Sequence, residues 1–276
     1  MEVHINPTKE QLEKYDQLIS YFESIGSVAV AFSSGVDSTF LLFAAKEALD
    51  DKAIAITASP VSFPKRELNE SIEFCKDHGI RQEICEVDEL KIEGFVENPK
   101  NRCYLCKKEL FRRMLDITKA NNLSELVEGS NLDDEGDYRP GLQAIKELGI
   151  KSPLRKIGFT KDDIRVLSKH LNIPTWGKPS LACLSTRFAY GETITKDKLL
   201  MVDKAEGLLL DLGFKQMRVR IHGTMARIEV MPEDFEKLIS EEIRNTIIKS
   251  FKEYGFTYIS LDLIGYRTGS MNEVLK

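Results

Sequence analysis

The sequence predicts an α/β protein, a doubly wound parallel sheet followed by a smaller α+β domain, and three observations carry that expectation. Short β-rich apolar runs alternate with stretches of helical periodicity through the first two-thirds of the chain, small residues bunch where the first run meets a helix, and the order of elements changes after about Lys196. Strands of a parallel sheet are buried on both faces, so they read as continuous apolar runs. SVAVAF (27–32), AIAIT (53–57), EICEV (83–87) and ELVEG (125–129) fit that description. FLLFAAKEAL, RELNESIEFCKDHG and TKDDIRVLSKHLN repeat apolar residues at three and four and are the accompanying helices. The later segment reads as helix, basic strand (MRVRIHG), strand (MARIEVM), helix (PEDFEKLISEEIRNTIIKSF) and a last strand (TYISLDLIG). These patterns place one domain at 1–190 and a second at 191–276, with no internal repeat, low-complexity tract or long linker.

Composition narrows the class of function. A chain of 276 residues, 42% of them hydrophobic, has ample volume for a buried core. Its opening, MEVHINPTKEQLEKYDQLISYF, mixes acids and bases without an apolar stretch, which argues against a signal peptide or membrane span and for a cytoplasmic location. Five unevenly spaced cysteines are too few for a disulfide scaffold, so metal binding or catalysis is the better expectation for them. A net charge of −5 argues against a dedicated nucleic-acid binder.

The stretch AVAFSSGVDSTFLLFAAKEAL carries the most information. An apolar strand runs into Ser33, Ser34, Gly35, Val36, Asp37, Ser38 and Thr39, and a helix begins there. Backbone N–H groups without helical partners and the positive end of the helix dipole then face the same point, an arrangement that binds phosphate. A serine-capped helix with no ligand is the bland alternative. The loop lacks the Lys-Ser/Thr ending of a Walker loop and is not the dinucleotide G-x-G-x-x-G. It resembles the SGGxDS loop of the PP-loop pyrophosphatases, which use ATP to adenylate a substrate oxygen and release pyrophosphate. Ser34 stands where that superfamily has its first glycine, a substitution tolerated at negative φ and costly at positive φ. Downstream, EGSNLDDEGDYRPG (128–141) resembles the GxNxDDxxDYRPG segment of the same superfamily, which lies beside the nucleotide.

Three cysteines stand apart from the other two. Cys75 falls in an amphipathic helical pattern and Cys85 in a strand, where cysteine acts as a small hydrophobe. Cys103 and Cys106 lie in the polar segment NRCYLCKK among Arg102, Lys107 and Lys108, and Cys183 lies in GKPSLACLSTRFAYG near Lys178 and Arg187, surroundings that favour thiolates. Over nearly its whole length the chain resembles the LarE family, ATP-dependent sulfur transferases that build the nickel-pincer nucleotide cofactor of lactate racemase. The likeness rests on the phosphate loop, NRCYLCK, GSNLDDEGDYRPG, SPLRKIGFTKDDIR, KPSLACLSTR, MRVRIHG, ARIEV and LDLIGYRTGSMN.

The resemblance implies ATP and Mg²⁺ at Ser33 to Thr39, with Thr57, Gly129 and Arg187 also at the nucleotide and Asp37 organising the loop or the metal. It implies sulfur chemistry at Cys103, Cys106 and Cys183. Some members give up the sulfur of the ACLSTR-type cysteine, while others hold three cysteines around a 4Fe-4S cluster. A C-x-x-C plus a third cysteine favours the cluster, because three thiolates leave one iron able to carry an extra sulfide. A structural zinc site wants four ligands, and no fourth stands out among His4, His78, His170 and His222. The family's phosphate and metal site falls on Arg218 and Arg220, which alternate along MRVRIHG, with a divalent ion at Glu206 and Glu229. Without that resemblance, the arginines read as the solvated face of a half-buried sheet.

The expected activity is adenylation of a carboxylate of pyridinium-3,5-biscarboxylic acid mononucleotide and its conversion to a thiocarboxylate. The expected partners are that small nucleotide, a sulfide source and further copies of the same chain in a homo-oligomer, with no nucleic acid or membrane. Other readings are a PP-loop tRNA thiolase, which calls for a basic groove, a sacrificial-cysteine enzyme, and a non-catalytic nucleotide sensor with a zinc clip.

Overall fold

The computed structural model describes residues 6–134, 140–179, 182–267 and 269–275. The chain forms two compact units, the first comprising Met1–Pro60, Glu67–Val87 and Cys103–Leu181, the second Val61–Arg66, Asp88–Arg102 and Ala182–Lys276. Among the described residues no helix is long and apolar enough to cross a membrane.

In the first unit α1 (Lys9–Ile25) leads into β1 (Val28–Ala31), α2 (Val36–Leu49) and β2 (Ala53–Ala58). There follow α3 (Lys65–Asp77), β3 (Arg81–Cys85), α4 (Arg102–Ala120), β4 (Glu125–Val127), α5 (Pro140–Glu147), α6 (Pro153–Ile157) and α7 (Lys161–His170). The four strands make one parallel sheet in the order β3-β2-β1-β4. The apolar runs dictate this: Val28, Ala29 and Val30 of the central strand are completely buried, as are Ala55 and Ile56 of β2. β3 begins two residues earlier than its apolar pattern suggests, at Arg81. It is an edge strand, and its exposed Arg81 and half-buried Gln82 and Glu83 are the polar residues that a sheet edge tolerates.

Helix α2 is apolar almost all round because it is covered on several sides, by β1 and β2 and by α1 and α7. Phe40 is wholly buried at its centre, with ring centroids 5.7 Å from Tyr15 and 5.6 Å from Phe159. The polar segment NRCYLCKK is helical, forming the first turns of α4. The reason lies downstream: Phe111, Met114 and Thr118, at helical spacing, are buried and commit the segment to a helix that the polar residues continue.

In the second unit α8 (Lys196–Asp211) precedes β5 (Met217–His222) and β6 (Met225–Val230), then α9 (Phe235–Ile239), α10 (Glu241–Tyr254) and β7 (Tyr258–Leu261). β5 and β6 pair antiparallel across a turn opened by Gly223, whose φ of 61° suits a two-residue hairpin, and β7 adds parallel to β6. The expected single helix after β6 breaks at Ser240, whose extended backbone (ψ 146°) ends α9 and starts α10. Val219, Ile221, Ala226 and Val230 are fully buried, as are Leu199 and Leu209 of α8.

A cavity at Phe40 should be expensive, because its neighbours are aromatic rings that cannot collapse into it. Phe40→Ala should cost about 3–5 kcal/mol of first-unit stability. Fluorescence of Trp176, the sole tryptophan and part of the first unit, reads this in a urea titration. An unshifted midpoint would show that α2 is not the centre of this core.

Candidate active site

The strand order has one reversal, since the chain moves outward from β1 to β2 and β3 and then returns to place β4 on the other side of β1. In open parallel sheets a crevice opens at such a reversal, beyond the carboxyl ends of the two strands. The loops that follow β1 and β4 are the two nucleotide-type motifs of the sequence, so the topology brings them together. Gly129, just after β4, sits so close to the start of α2 that a Cβ there would lie 3.1 Å from the Ser38 nitrogen and 3.2 Å from the Asp37 carbonyl carbon.

Helix α2 has Gly35 as its N-cap and no side-chain cap. The loop is instead held from within: the hydroxyls of Ser33 and Ser38 are 3.1 Å apart, the Ser33 N–H meets Ser38 Oγ at 3.2 Å, and Thr39 Oγ1 donates to the Gly35 carbonyl at 2.8 Å. Ser34 has φ of 52°, the left-handed region, which costs an L-residue about 1–2 kcal/mol. Two contacts hold it there. Ser34 Oγ donates to the Glu67 carbonyl at 3.1 Å, and Lys178 Nζ donates to the Ser34 carbonyl at 3.1 Å while pairing with Glu70 at 2.5 Å.

Asp37 faces the second motif. Its carboxylate accepts from Asn131 Nδ2 at 3.3 Å and from Lys161 Nζ at 2.5 Å. The segment around Asn131 is ordered by its own acids: Ser130 donates to Glu128 through N–H and Oγ, Asn131 N–H meets Asp134 at 3.0 Å, and Lys161 N–H meets Asp133 at 2.7 Å. Glu128, Ser130 and Asn131 are buried, whereas Asp133 is exposed. Residues 135–139 of the motif lie outside the described residues, as do Ser180 and Leu181 of KPSLACLSTR and Thr268 of LDLIGYRTGSMN. Thr57, buried in β2, accepts from Gln82 Nε2 at 2.8 Å.

Two of the five cysteines are sealed. Cys75 and Cys85 are buried, and burial pushes the Cys75 thiol up to about 12 and raises that of Cys85, so neither offers a thiolate near neutrality. Cys103 and Cys106 are half-buried and three residues apart on α4, hence on one face. Cys183 belongs to the second unit and is exposed. Two thiols on one helical turn fit an edge of an iron-sulfur cluster, and soft thiolates are its usual donors. Among the described residues, no group of three or more His, Cys, Asp or Glu is placed to hold a metal ion.

The second unit buries its arginines. Arg187 is completely buried, meeting Glu206 through Nε at 2.8 Å and Nη2 at 2.7 Å. Arg220, 5% exposed, meets Glu229 through Nε at 3.0 Å, and Arg227 meets the other Glu229 oxygen at 3.0 Å. Burial would raise the Glu206 carboxyl, but the charge and hydrogen bonds of Arg187 hold it below its ordinary value. Arg218 is also buried, its guanidinium carbon 5.2 Å from the Tyr266 ring centroid, and both burial and the charge of Arg187 press its pKa down. Arg218 and Arg220 are thus interior groups, not a solvated face. The divalent ion expected at Glu206 and Glu229 finds all four carboxylate oxygens already accepting from guanidinium groups. That arrangement does not fit a cation site.

Lys161 and Lys178 are the residues that sequence reading passed over as part of the loop's surroundings. Lys161 follows Thr160, which forms a capping box with Asp163. The TKDD pattern signals a helix start, yet nothing local shows that its lysine reaches a residue 124 positions upstream.

No family model matches the chain. Three relatives span nearly all of it. A protein of Synechocystis sp. described as uncharacterised is 38% identical over 262 residues, 95% of this chain and 98% of its own. Another uncharacterised protein, from Methanocaldococcus jannaschii, is 32% identical over 241 residues, 87% of this chain and 91% of its own. The pyridinium-3,5-bisthiocarboxylic acid mononucleotide synthase of Lactiplantibacillus plantarum is 35% identical over 263 residues, covering 94% of this chain and 93% of that one. At that identity over that span, the chain belongs to the family of this synthase, the LarE family.

Proposed function

We propose that the protein is an ATP-dependent sulfur transferase that adenylates a carboxylate of pyridinium-3,5-biscarboxylic acid mononucleotide and turns it into a thiocarboxylate. The observation that carries this reading is the reversal between β1 and β4, where a helix N-terminus without a side-chain cap meets the GSNLDD loop, in a chain related to a synthase of that name. ATP enters as its Mg²⁺ complex. A carboxylate oxygen attacks the α-phosphorus, the bond to the bridging oxygen breaks, and pyrophosphate departs. Backbone N–H groups within Ser34 to Ser38 receive its charge, those of Ser33 and Thr39 being engaged inside the loop, and Lys161 and Lys178 add positive charge beside it. Asp37, gripped by Asn131 and Lys161, keeps the two loops in register.

In the second half-reaction a sulfur nucleophile forms a bond to the acyl carbon, and AMP leaves with the former carboxylate oxygen. A 4Fe-4S cluster held by Cys103, Cys106 and Cys183 would supply, when bound, a sulfide ligand on the iron that the protein does not hold. A second reading follows from the exposure of Cys183. Its own sulfur attacks, the Cβ–S bond then breaks as a proton leaves Cα, and the residue ends as dehydroalanine.

The nucleotide site is tested by Gly129→Ala. The added methyl meets backbone atoms of Asp37 and Ser38 that cannot yield without shifting α2, so substrate-dependent pyrophosphate release should fall ~10-fold or more in a protein with an unchanged circular dichroism spectrum. Ser33→Glu, which puts a negative charge where phosphate binds, should abolish it. Release at the parental rate in both variants would remove this loop from the active site.

The sulfur source is tested anaerobically. Reconstituted protein should take up four irons per chain if the cluster reading holds, and Cys103→Ala, Cys106→Ala or Cys183→Ala should lose them while Cys75→Ala should not. Supplied with ATP, substrate and sulfide, loaded protein should then make several thiolated products per chain with Cys183 intact by mass spectrometry. One sulfur per chain and a Cys183 peptide lighter by hydrogen sulfide would establish the sacrificial route.

A further inference from the structure

Cys183 combines an exposed side chain with a backbone that is pinned at almost every carbonyl. Its own carbonyl accepts three donors: the Thr186 N–H at 3.0 Å, Thr186 Oγ1 at 2.8 Å and Arg187 Nη1 at 3.2 Å. Arg187 Nη1 also meets the Ala182 carbonyl and Thr186 Oγ1, each at 2.8 Å. The Thr186 carbonyl in turn accepts from Arg220 Nη1 at 3.0 Å, and that of Ser185 from Arg102 Nη1 at 2.9 Å. Asn98 Nδ2 reaches the Ala189 carbonyl at 2.6 Å, and the Leu184 N–H meets the Ser62 carbonyl at 2.9 Å. Ser62 is itself anchored, since its N–H and that of Val61 meet the wholly buried carboxylate of Glu89 at 2.6 and 3.0 Å.

Burying a guanidinium carries a heavy desolvation cost before its partners are counted, so three buried arginines gathered around one short segment require a reason. A loop that merely closed a gap would satisfy its carbonyls with water. We propose that Thr186, backed by Arg187 and its partner Glu206, is a positioning residue for the Cys183 thiol. Its hydroxyl takes a hydrogen bond from Arg187 and gives one to the Cys183 carbonyl, joining the buried ion pair to the sulfur-bearing residue. Arg187 therefore acts on the sulfur step through this segment. The assignment rests on the sulfur-transfer reading of Cys183.

Thr186→Val removes the hydroxyl and keeps the shape at a half-buried site, and Thr186→Ser restores the hydroxyl. The quantity to measure is thiolated product formed per pyrophosphate released. It should fall ~10-fold in Thr186→Val, as displacement of a reacting group does, and return in Thr186→Ser. Equal losses of pyrophosphate and product, which leave the ratio unchanged, would overturn the proposal, and so would an unaffected Thr186→Val protein. Amide hydrogen exchange over residues 182–189 gives a reading independent of activity. These amides should be protected in the parent and exchange faster in Thr186→Val, with α8 and β5 unchanged. Fast exchange already in the parent would overturn the positioning role whatever the chemistry, whereas slow exchange with no thiolated product from the parent would place the failure in the sulfur-transfer reading itself.

Discussion

The crevice beyond β1 and β4 depends on the absence of a single side chain. Gly129 lets the chain leaving β4 touch the first turn of α2, and every contact that joins the two loops follows from that approach. Asn131 reaches Asp37 because the backbone two residues earlier has already met Asp37 and Ser38. Lys161 reaches the same carboxylate because its own N–H is tied to Asp133 in the GSNLDD loop. The requirement is one of space alone: Gly129 needs no left-handed backbone, so what forbids a larger residue is the neighbouring helix.

Ser34 shows the opposite case, in which the backbone conformation is demanding and the residue is not the one best suited to it. Hydrogen bonds from its hydroxyl to Glu67 and from Lys178 to its carbonyl are each worth about 0.5–1.5 kcal/mol. Together they match the cost of the left-handed conformation. The loop therefore keeps its shape by external ties that a glycine would not need, and Lys178, which also pairs with Glu70, links that shape to α3.

Much of this was legible in the sequence, for reasons that differ by region. Buried parallel strands advertise themselves through uninterrupted apolar runs, and β1 and β2 do so within a residue of their observed ends. β3 misleads at its start because an edge strand carries polar residues. The helix at Cys103 was hidden because its signal, Phe111, Met114 and Thr118, lies a full turn and more downstream of the cysteines. In the second unit periodicity placed Arg218 and Arg220 correctly on β5, but alternation cannot distinguish a charged face in water from one covered by the chain. Only tertiary contacts show that Arg187 is matched by Glu206 and Arg220 by Glu229, each on another element, with Arg227 reaching Glu229 along β6 itself.

Those matched pairs set how the second unit responds to its surroundings. Dissolved ions weaken attraction between charges that water can reach, over a distance of about 8 Å at physiological ionic strength, and they have little effect on pairs from which water is excluded. Arg187 and Glu206 are excluded from water, as are Arg220 and Glu229. The cohesion of the segment carrying Cys183 should therefore be indifferent to salt, while the many pairs on the surface of α1 and α4 loosen as salt rises. Where salinity fluctuates, the outer charges of this protein adjust while the frame around Cys183 stays constant.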